Sequence, residues 1–392
     1  MRYVFVLCNA LDDVTREQRG IYTDSPAASK KVIELCKAIQ GEGTRCFIIS
    51  LGRGRAGGPV RFFPGVVRTI DSVPIIYAPF ITVPILSEVV SLLAPLTIIF
   101  RFRSKITKAI IFYNPISAYI PTLFFSTALG FRGILDLEDG NVPVAKRKFT
   151  LRIRVFVECL FDYFCNGGAL LACDALSRFT SLRPTLIYYG VASSNQNSHH
   201  NKFKGEHIRF LFPGTLERET GAELLIEAIK AMRINKASWV HKAIFEVTGK
   251  GSSLDQFVYL ANQAGFPKII VHGRTTNLEY QQILNQVDIG LSLKLTDGPY
   301  AETTFPSKVL EFAANGILVL TTDISDVKKV FGDAGALYLK KDSQNLQALI
   351  QQAVEDPVRM VEIAGEGQHR ITRMNSVERV RKSLTQFIFL GQ

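Results

Sequence analysis

The sequence predicts an α/β protein with two doubly wound domains of similar size, and three observations support this fold class. The chain opens with a strand, a helix and a second strand, and a comparable alternation starts again after a polar stretch near residue 191. Its 392 residues are enough for two domains that each bury a core. Ligands bind beyond the carboxyl ends of strands in open parallel sheets, so we expect the two domains to face each other across a cleft.

Apolar runs and turn residues predict the elements of the first half. A strand is expected at 3–7, a loop up to residue 25, a helix at 27–40 and a strand at 45–51. Further strands are predicted at 109–112, 133–137 and 186–189, and helices at 117–129 and 150–164.

The polar stretch 191–201 reads as a linker, and the same pattern then resumes. Strands are predicted at 208–212, 243–247, 269–272, 288–293 and 317–320, and helices at 222–234, 254–264, 277–285 and 306–315. An amphipathic helix is predicted at 376–390. The expected domains are therefore 1–190 and 191–372, both Rossmann-like, with 373–392 crossing back to the first domain.

Composition excludes several classes of protein. Hydrophobic residues at 47% and charged residues at 21% describe a folded chain rather than a disordered one. The six cysteines form no CxxC pair and no cluster at zinc spacing, so we predict neither a metal site nor a redox pair. The first residues have too short an apolar run for a secretory signal, and a cytoplasmic location fits best.

The net charge of +11 is concentrated in the first half, where residues 1–190 hold 23 Lys and Arg against 14 Asp and Glu. Such a distribution indicates an anionic partner surface, either phospholipid or nucleic acid. The apolar stretch 73–100 leads into a basic cluster at 101–108 and favours lipid, whereas no nucleic-acid-binding motif is recognisable. Three prolines and Glu88 argue against a transmembrane helix, so we predict either an element that lies in the membrane interface or ordinary core elements.

The segment 302–316 is the most informative part of the chain. Pro306 suits the first position of a helix, and Gly316 suits the left-handed residue beyond its end. Lys308 would add positive charge to the free N–H groups of the first turn, and Glu311 could accept hydrogen bonds from neutral hydroxyls. This pattern predicts a site for a diphosphate joined to a ribose. The alternative is an ordinary amphipathic helix with a surface Lys and Glu.

Residues 208–330 resemble the nucleotide-sugar-binding half of GT-B glycosyltransferases, specifically the retaining enzymes of family 4 (glycosyl transferases group 1). The resemblance rests on the order and spacing of six short motifs, at 210–216, 221–228, 245–251, 271–274, 287–292 and 302–316. It implies the GT-B fold and transfer of a sugar, of the hexosyl or a related class, from a UDP- or GDP-sugar. No cofactor is implied, because the nucleotide sugar is a substrate.

The resemblance also implies roles for individual residues of this sequence. Glu311 is expected to hold the ribose, Gly214 to let the backbone approach the diphosphate, and Gly249, Lys250 and Gly251 to line the base pocket. The remaining donor-binding candidates in the matching motifs are Thr215, Arg218, Gly273, Arg274, Thr304 and Ser307.

Two departures from the family pattern concern the sites of catalysis. The first glutamate of the family corresponds to Thr303, with Glu302 one residue away, so either residue could take that role. The family's Arg and Lys near the diphosphate correspond to Thr215 and Thr220, which leaves Lys308 or Arg218 as replacements. We favour Lys308, because its ammonium would reinforce a helix N-terminus.

The first half resembles the acceptor half of these enzymes more loosely. Asp136, Glu138 and Asp139 follow a predicted strand, and Glu138 or Asp139 could orient or deprotonate an acceptor hydroxyl. A capped turn with solvated carboxylates is the alternative. Ser25 could likewise contact a ligand or simply cap a helix.

The sequence thus predicts a retaining, metal-independent transferase that acts on a glycan or lipid-linked acceptor in polysaccharide biosynthesis, peripheral to an anionic membrane. Alternatives are a metal-dependent GT-A-like transferase using Asp136, Glu138 and Asp139, a GT-B sugar-nucleotide epimerase, and a non-catalytic basic protein that binds nucleic acid or membranes.

Overall fold

The structure, a computed structural model, describes residues 1–41, 43–54, 59–140, 148–192, 202–298, 300–340 and 342–390. The chain forms two compact units. Unit 1 comprises Met1–Val191 together with Val377–Gln392, and unit 2 comprises Ala192–Ser376.

Unit 1 is built on an eight-stranded sheet and a two-stranded ribbon. Its strands are β1 Arg2–Cys8, β2 Thr44–Ser50, β3 Phe62–Phe63, β4 Val66–Ile70, β5 Val73–Tyr77, β6 Phe80–Ile81, β7 Lys108–Tyr113, β8 Arg132–Leu137, β9 Ala169–Leu171 and β10 Thr185–Ile187. Its helices are α1 Asp13–Arg19, α2 Pro26–Ile39, α3 Pro84–Phe100, α4 Ile120–Ala128 and α5 Lys148–Phe164, joined by α13 Val377–Ile388 from the end of the chain.

The large sheet runs in the order β10-β9-β8-β7-β1-β2-β5-β4. All neighbours pair in parallel except β4, which is antiparallel to β5 at the edge. The central strand β1 is almost continuously apolar and is buried from Val4 to Cys8. Such runs are required of parallel strands that helices cover on both faces. Five of the six cysteines are buried, as expected for small core residues, whereas Cys159 on α5 is exposed.

Unit 1 departs from the sequence prediction at α1. The segment expected to be a loop contains α1, whose first turn is capped when Asp12 accepts a hydrogen bond from the Thr15 amide. Its seven residues are too few for a periodic pattern to stand out. The stretch 73–100 contains β5, β6 and α3, and Pro95 lies inside α3.

Unit 2 is a six-stranded parallel sheet with helices on both faces. Its strands are β11 Ile208–Thr215, β12 Ala243–Lys250, β13 Lys268–Gly273, β14 Ile289–Ser292, β15 Leu318–Thr322 and β16 Leu337–Leu339. Its helices are α6 Ala222–Asn235, α7 Leu254–Asn262, α8 Asn277–Gln286, α9 Lys308–Ala314, α10 Val327–Phe331, α11 Ser343–Glu355 and α12 Pro357–Asn375.

The strand order β13-β12-β11-β14-β15-β16 is the one typical of dinucleotide-binding sheets. The direction of winding reverses between β11 and β14. In such folds, ligands bind in the crevice at the carboxyl ends of the strands beside this reversal.

Candidate donor site in unit 2

Lys308 and Gly214 meet at the carboxyl end of β11. Gly214 has φ +112°, a conformation that favours glycine. The Cε and Nζ atoms of Lys308 each lie 3.2 Å from the position that a Cβ on Gly214 would occupy. The structure therefore brings together the glycine and the ammonium that were both predicted to contact a diphosphate.

The loops after β11 and β12 are packed backbone against backbone. Gly214 pairs with Gly249 in the parallel register, and Gly249 has φ +123°. A Cβ on Gly249 would stand 1.7 Å from the Gly214 carbonyl oxygen, and one on Gly251 would stand 2.4 Å from that of Leu216. Only glycine fits at these two positions, so the close approach of the strand ends explains both residues.

Hydrogen bonds fix the loop after β11. Glu217 accepts a hydrogen bond of 2.8 Å from the Ser252 amide, which ties this loop to the one after β12. The Thr220 hydroxyl lies 2.5 Å from the carbonyl oxygen of Thr215 and is thus engaged with the loop backbone. Arg218 is 76% exposed and forms a 3.7 Å ion pair with Glu223. Of the two proposed phosphate cations, Lys308 is therefore the one that the structure brings to Gly214.

The helix that contains Glu311 begins later than predicted. It starts at Lys308 rather than at Pro306, because Pro306 and Ser307 form a tighter turn in which the Val309 amide donates to the Pro306 carbonyl at 3.0 Å. Ser307 makes no side-chain capping bond. The predicted end is confirmed, since Gly316 is left-handed with φ +66°.

Tyr280 contacts both Lys308 and Glu311 and was not predicted from the sequence. From α8, its hydroxyl donates a 3.1 Å hydrogen bond to Glu311 Oε2. The Lys308 ammonium lies 5.4 Å from the centroid of the same ring, within reach of a cation–π interaction. Burial, and then the neighbouring carboxylate, raise the pKa of the Tyr280 phenol well above its usual value, so the hydroxyl stays a donor. No spacing rule links position 280 to position 311, since the contact is made between separate helices.

Thr303 and Glu302 differ in burial. Thr303 is 7% exposed, and among the described residues its hydroxyl has no hydrogen-bond partner. Glu302 is exposed, and Thr304 and Ser307 are half-buried in the same loop. An isolated buried hydroxyl costs free energy unless a ligand satisfies it.

Gly273 and Arg274, two further residues that were predicted to bind the donor, lie at the end of β13. Gly273 has φ +64°, and no described atom lies within 4 Å of the place where its Cβ would stand. Arg274, next in the chain, is half-buried. His272 Nε2 lies 2.6 Å from the buried carboxylate of Glu246, which also pairs with Arg209. This network crosses three strands and was not predicted, because three charged or titratable residues on separate strands carry no joint signal in the sequence.

The acidic residues of unit 1 form a partly neutralised cluster at the carboxyl end of β8. Glu138 forms an ion pair with Lys31 of α2, and the Lys31 ammonium lies 5.3 Å from the centroid of the Tyr188 ring. Asp136 is 1% exposed, and no described donor reaches either of its carboxyl oxygens. Burial and the nearby Glu138 raise the pKa of Asp136 well above its usual value. Asp139 is exposed.

This geometry bears on two alternatives that the sequence left open, a metal site at the acidic residues and a ligand contact by Ser25. Lys31 already supplies a positive charge beside Glu138, which disfavours a metal ion there. Within the described ranges, no group of three His, Cys, Asp or Glu side chains is arranged to hold a metal ion. Ser25 acts as the N-cap of α2, accepting a 3.3 Å hydrogen bond from the Ala28 amide.

A comparison with protein families finds a match that covers most of unit 2. Residues 193–370, which include every strand of unit 2, match the family model described as glycosyl transferases group 1. No curated protein sequence matches the chain at a significant level.

Several solved structures share the fold of the whole chain. HepE of Anabaena, solved in complex with UDP and glucose, superposes with a TM-score of 0.68 at 13% identity, covering 98% of this chain and 99% of its own. Sucrose-phosphate synthase of Thermosynechococcus elongatus gives 0.67 at 13% identity, covering 98% of each chain. TarM of S. aureus gives 0.65 at 11% identity, covering 99% of this chain and 100% of its own. The chain has the GT-B fold, and this fold together with the family match of residues 193–370 supports a GT-B glycosyltransferase.

Proposed function

We propose that this protein is a retaining glycosyltransferase that moves a hexosyl or related sugar from a nucleoside diphosphate to a hydroxyl of a glycan or lipid-linked acceptor. The observation that carries the proposal is the group formed by Gly214, Lys308, Tyr280 and Glu311 at the carboxyl end of β11. The Lys308 ammonium, the strand end at Gly214 and the Glu311 carboxylate are therefore close enough to bind one nucleotide.

Lys308 would stabilise the leaving group. Breaking the bond between the anomeric carbon and the phosphate leaves an oxocarbenium-like sugar and a diphosphate, and fixed positive charge lowers the energy of that state. The Lys308 ammonium lies against a glycine backbone, so phosphate oxygens can approach both the ammonium and the strand end. Because this charge belongs to the protein, we infer that the reaction does not require a metal ion.

Glu311 would bind the ribose. A carboxylate accepts hydrogen bonds from two neighbouring hydroxyls, and Tyr280 fixes its orientation through the 3.1 Å hydrogen bond. The donor nucleotide is inferred to be UDP, with GDP as the alternative, because HepE was solved with UDP and with UDP-glucose. Gly249, Lys250 and Gly251 at the end of β12 are our candidates for the base pocket, and Gly273 and Arg274 at the end of β13 are further donor-binding candidates.

Thr303 is our candidate for the residue that meets the donor sugar. Its buried hydroxyl has no partner among the described residues, so a sugar hydroxyl or a phosphate oxygen would satisfy it. Retention of configuration is inferred from the resemblance to family 4, in which the acceptor attacks on the face of the leaving group.

The acceptor is assigned to unit 1. Asp139 is exposed at the end of β8 and can accept the proton of an acceptor hydroxyl, whereas Glu138 is held by Lys31 and is better suited to orient that hydroxyl. We place the reaction in the cytoplasm, in the assembly of a polysaccharide.

Calorimetric titration with UDP and GDP tests the donor site. Glu311→Ala should weaken binding by roughly 1.5–3 kcal/mol, the usual value of a hydrogen bond to a charged group. Glu355→Ala, which removes an exposed carboxylate of α11, is the matched control and should bind like the parent protein. Equal affinity of the Glu311 variant and the control would remove Glu311 from the site.

Product analysis then tests the reaction itself. Incubation with UDP-sugars and an acceptor mixture should yield a glycoside with the anomeric configuration of the donor, at the same rate in EDTA. Formation of an isomeric UDP-sugar without any acceptor would instead identify an epimerase.

A further inference from the structure

Helix α3 presents apolar residues outward along one stripe. Ile85, Val89, Leu93, Thr97 and Phe100 follow one another at intervals of four, four, four and three residues, and all are exposed. Only Thr97 among them is polar. Such spacing places the five side chains on one face of the helix. This is the reverse of an ordinary surface helix, whose apolar face is turned to the core.

The opposite face of α3 is the one that packs on the protein. Ser87 and Ile99 are 3% and 0% exposed, respectively, and Pro95 is also buried. The exposed apolar stripe is therefore the outer surface of a helix whose other face packs on unit 1.

The neighbouring helices extend the apolar surface. Helix α4 packs against both α3 and α5: Phe125 is stacked on Phe100 with 6.2 Å between ring centroids, and Phe124 meets Phe164 edge to face at 4.6 Å. Phe156 and Tyr163 of α5 are 61% and 82% exposed. Further exposed apolar residues on these helices are Leu86, Phe124, Ile153 and Val155. Soluble proteins rarely leave so many large apolar side chains exposed on adjacent helices.

Exposed cations accompany these apolar residues. Arg101, Arg103 and Lys105 follow α3 directly, and Ile106 beside them is 97% exposed. In the described part of α5, Arg152 and Arg154 alternate with exposed apolar residues. Cations beside large apolar side chains fit a surface whose anionic groups cover a hydrocarbon layer.

We propose that this α3–α5 face, meaning the exposed residues of α3, α4 and α5 with Arg101, Arg103 and Lys105, docks on an anionic phospholipid membrane. The apolar stripe enters the boundary between headgroups and acyl chains, and the arginines and Lys105 contact lipid phosphates. No helix in the described part of the chain is long and apolar enough to cross a bilayer. If the proposed transferase function holds, membrane docking favours a lipid-linked acceptor over a soluble glycan.

Vesicle flotation tests the apolar part of the surface. The full chain should bind phosphatidylglycerol-containing vesicles at least tenfold more strongly than pure phosphatidylcholine vesicles, and the double variant V89D/L93D should lose at least tenfold of that binding. The control V358D/V361D places the same two changes on exposed valines of α12 in unit 2 and should bind like the parent protein. Equal binding by V89D/L93D and the parent protein would overturn the proposal.

A second pair of variants tests the cations. R101Q/R103Q/K105Q should weaken binding to anionic vesicles several-fold and reduce its dependence on salt, whereas K230Q/K242Q/K268Q removes three exposed charges of unit 2 and should not. Indifference of the parent protein to lipid charge would contradict the proposal. So would a concentration-dependent dimer that V89D/L93D abolishes, because a second copy would then cover the face.

Failure of this proposal and failure of the proposed function can be told apart. Vesicle binding is measured without donor or acceptor, and UDP binding by V89D/L93D is measured without lipid. Loss of vesicle binding with unchanged UDP affinity is the expected result for this variant.

Discussion

At the scale of single residues, the Lys308 side chain depends on a glycine to reach its position. Its terminal atoms lie 3.2 Å from the place that a Cβ on Gly214 would take, so a larger residue there would push the ammonium away from the strand end. Glu311 is held in a comparable way by Tyr280. The two charged groups are thus positioned by neighbours that carry no net charge themselves.

The role of Thr303 can be separated from that of Glu302 by two substitutions. Thr303→Val keeps the shape and removes a hydroxyl that has no partner in the described structure, so stability should be unchanged or slightly higher. Turnover should fall about tenfold or more, equivalent to about 1.4 kcal/mol of transition-state stabilisation. Glu302→Gln should change turnover less than about twofold, as is usual for an exposed side chain.

Steady-state kinetics and thermal unfolding of both variants decide the matter. A full loss of turnover in Glu302→Gln together with normal turnover in Thr303→Val would assign the role to Glu302. Thr322→Val is a useful control, because the Thr322 hydroxyl donates a 2.6 Å hydrogen bond to the Lys294 carbonyl and its loss should lower stability.

Asp136 predicts a pH-dependent effect on stability. Its pKa is raised in the folded protein by burial and by Glu138, so the native state retains a proton that the unfolded chain releases. The contribution of this carboxyl to stability is fully present below its pKa in the unfolded chain, about 3.9, and is lost as the pH rises towards its pKa in the folded protein. The Asp136→Asn variant has no carboxyl to ionise at this position. Its stability relative to the parent protein should therefore increase with pH.

Urea unfolding at pH 4, 6 and 8 measures this trend. Asp139→Asn removes a carboxylate from the exposed residue of the same cluster and serves as the comparison. A stability difference between Asp136→Asn and the parent protein that does not vary with pH would show that the carboxyl is not held protonated.

At the scale of elements, the loops after β11 and β12 act as one unit. A Cβ on Gly249 would stand 1.7 Å from the Gly214 carbonyl oxygen, which leaves no room for any side chain, while Gly273 at the end of β13 has open space around its Cβ position. Both residues have positive φ. Substitution of the two glycines therefore distinguishes the cost of close packing from the cost of a side chain at positive φ.

Gly249→Ala should destabilise the protein by more than about 3 kcal/mol, because the strand ends must move apart as well as accept a strained residue. Gly273→Ala should cost about 1–2 kcal/mol, the usual penalty of a left-handed residue. Denaturant unfolding of the two variants measures the difference. Similar losses for both would mean that the two loops are less tightly joined than the structure indicates.

Five of the six strands of unit 2 were predicted, because each is an apolar run that ends at a glycine or a polar turn, whereas the short strand β16 was not predicted. Lys308 and Glu311 could be predicted as site residues because the segment 302–316 carries local helix signals, and Gly214 because its motif resembles that of a known family. Tyr280 could not be found, since its contact with Glu311 joins helices about thirty residues apart. The start of α9 was also missed, because a proline marks a tight turn as readily as a first helical turn.

At the scale of the whole molecule, both units use the same winding. Counting only the parallel strands, β5-β2-β1-β7-β8 in unit 1 and β13-β12-β11-β14-β15 in unit 2 each reverse beside their first strand. The repeat explains why the sequence pattern restarts near residue 191. The order itself could not be predicted, because alternating strands and helices are compatible with several parallel sheets.

The two units share the winding of their parallel strands but differ in charge and surface. The excess of Lys and Arg lies in the first half of the sequence, as does the α3–α5 face. The sequence indicated an anionic partner for this half, but which residues of α3 face outward became known only from its packing on unit 1.

A crystal structure of the protein soaked with UDP tests the central claim most directly. The account predicts that a diphosphate oxygen lies within hydrogen-bond distance of Lys308 Nζ and of the backbone beside Gly214, with the ribose hydroxyls on Glu311. A nucleotide bound elsewhere, or a Lys308 and Glu311 that touch no part of it, would contradict the assignment of this group as the donor site.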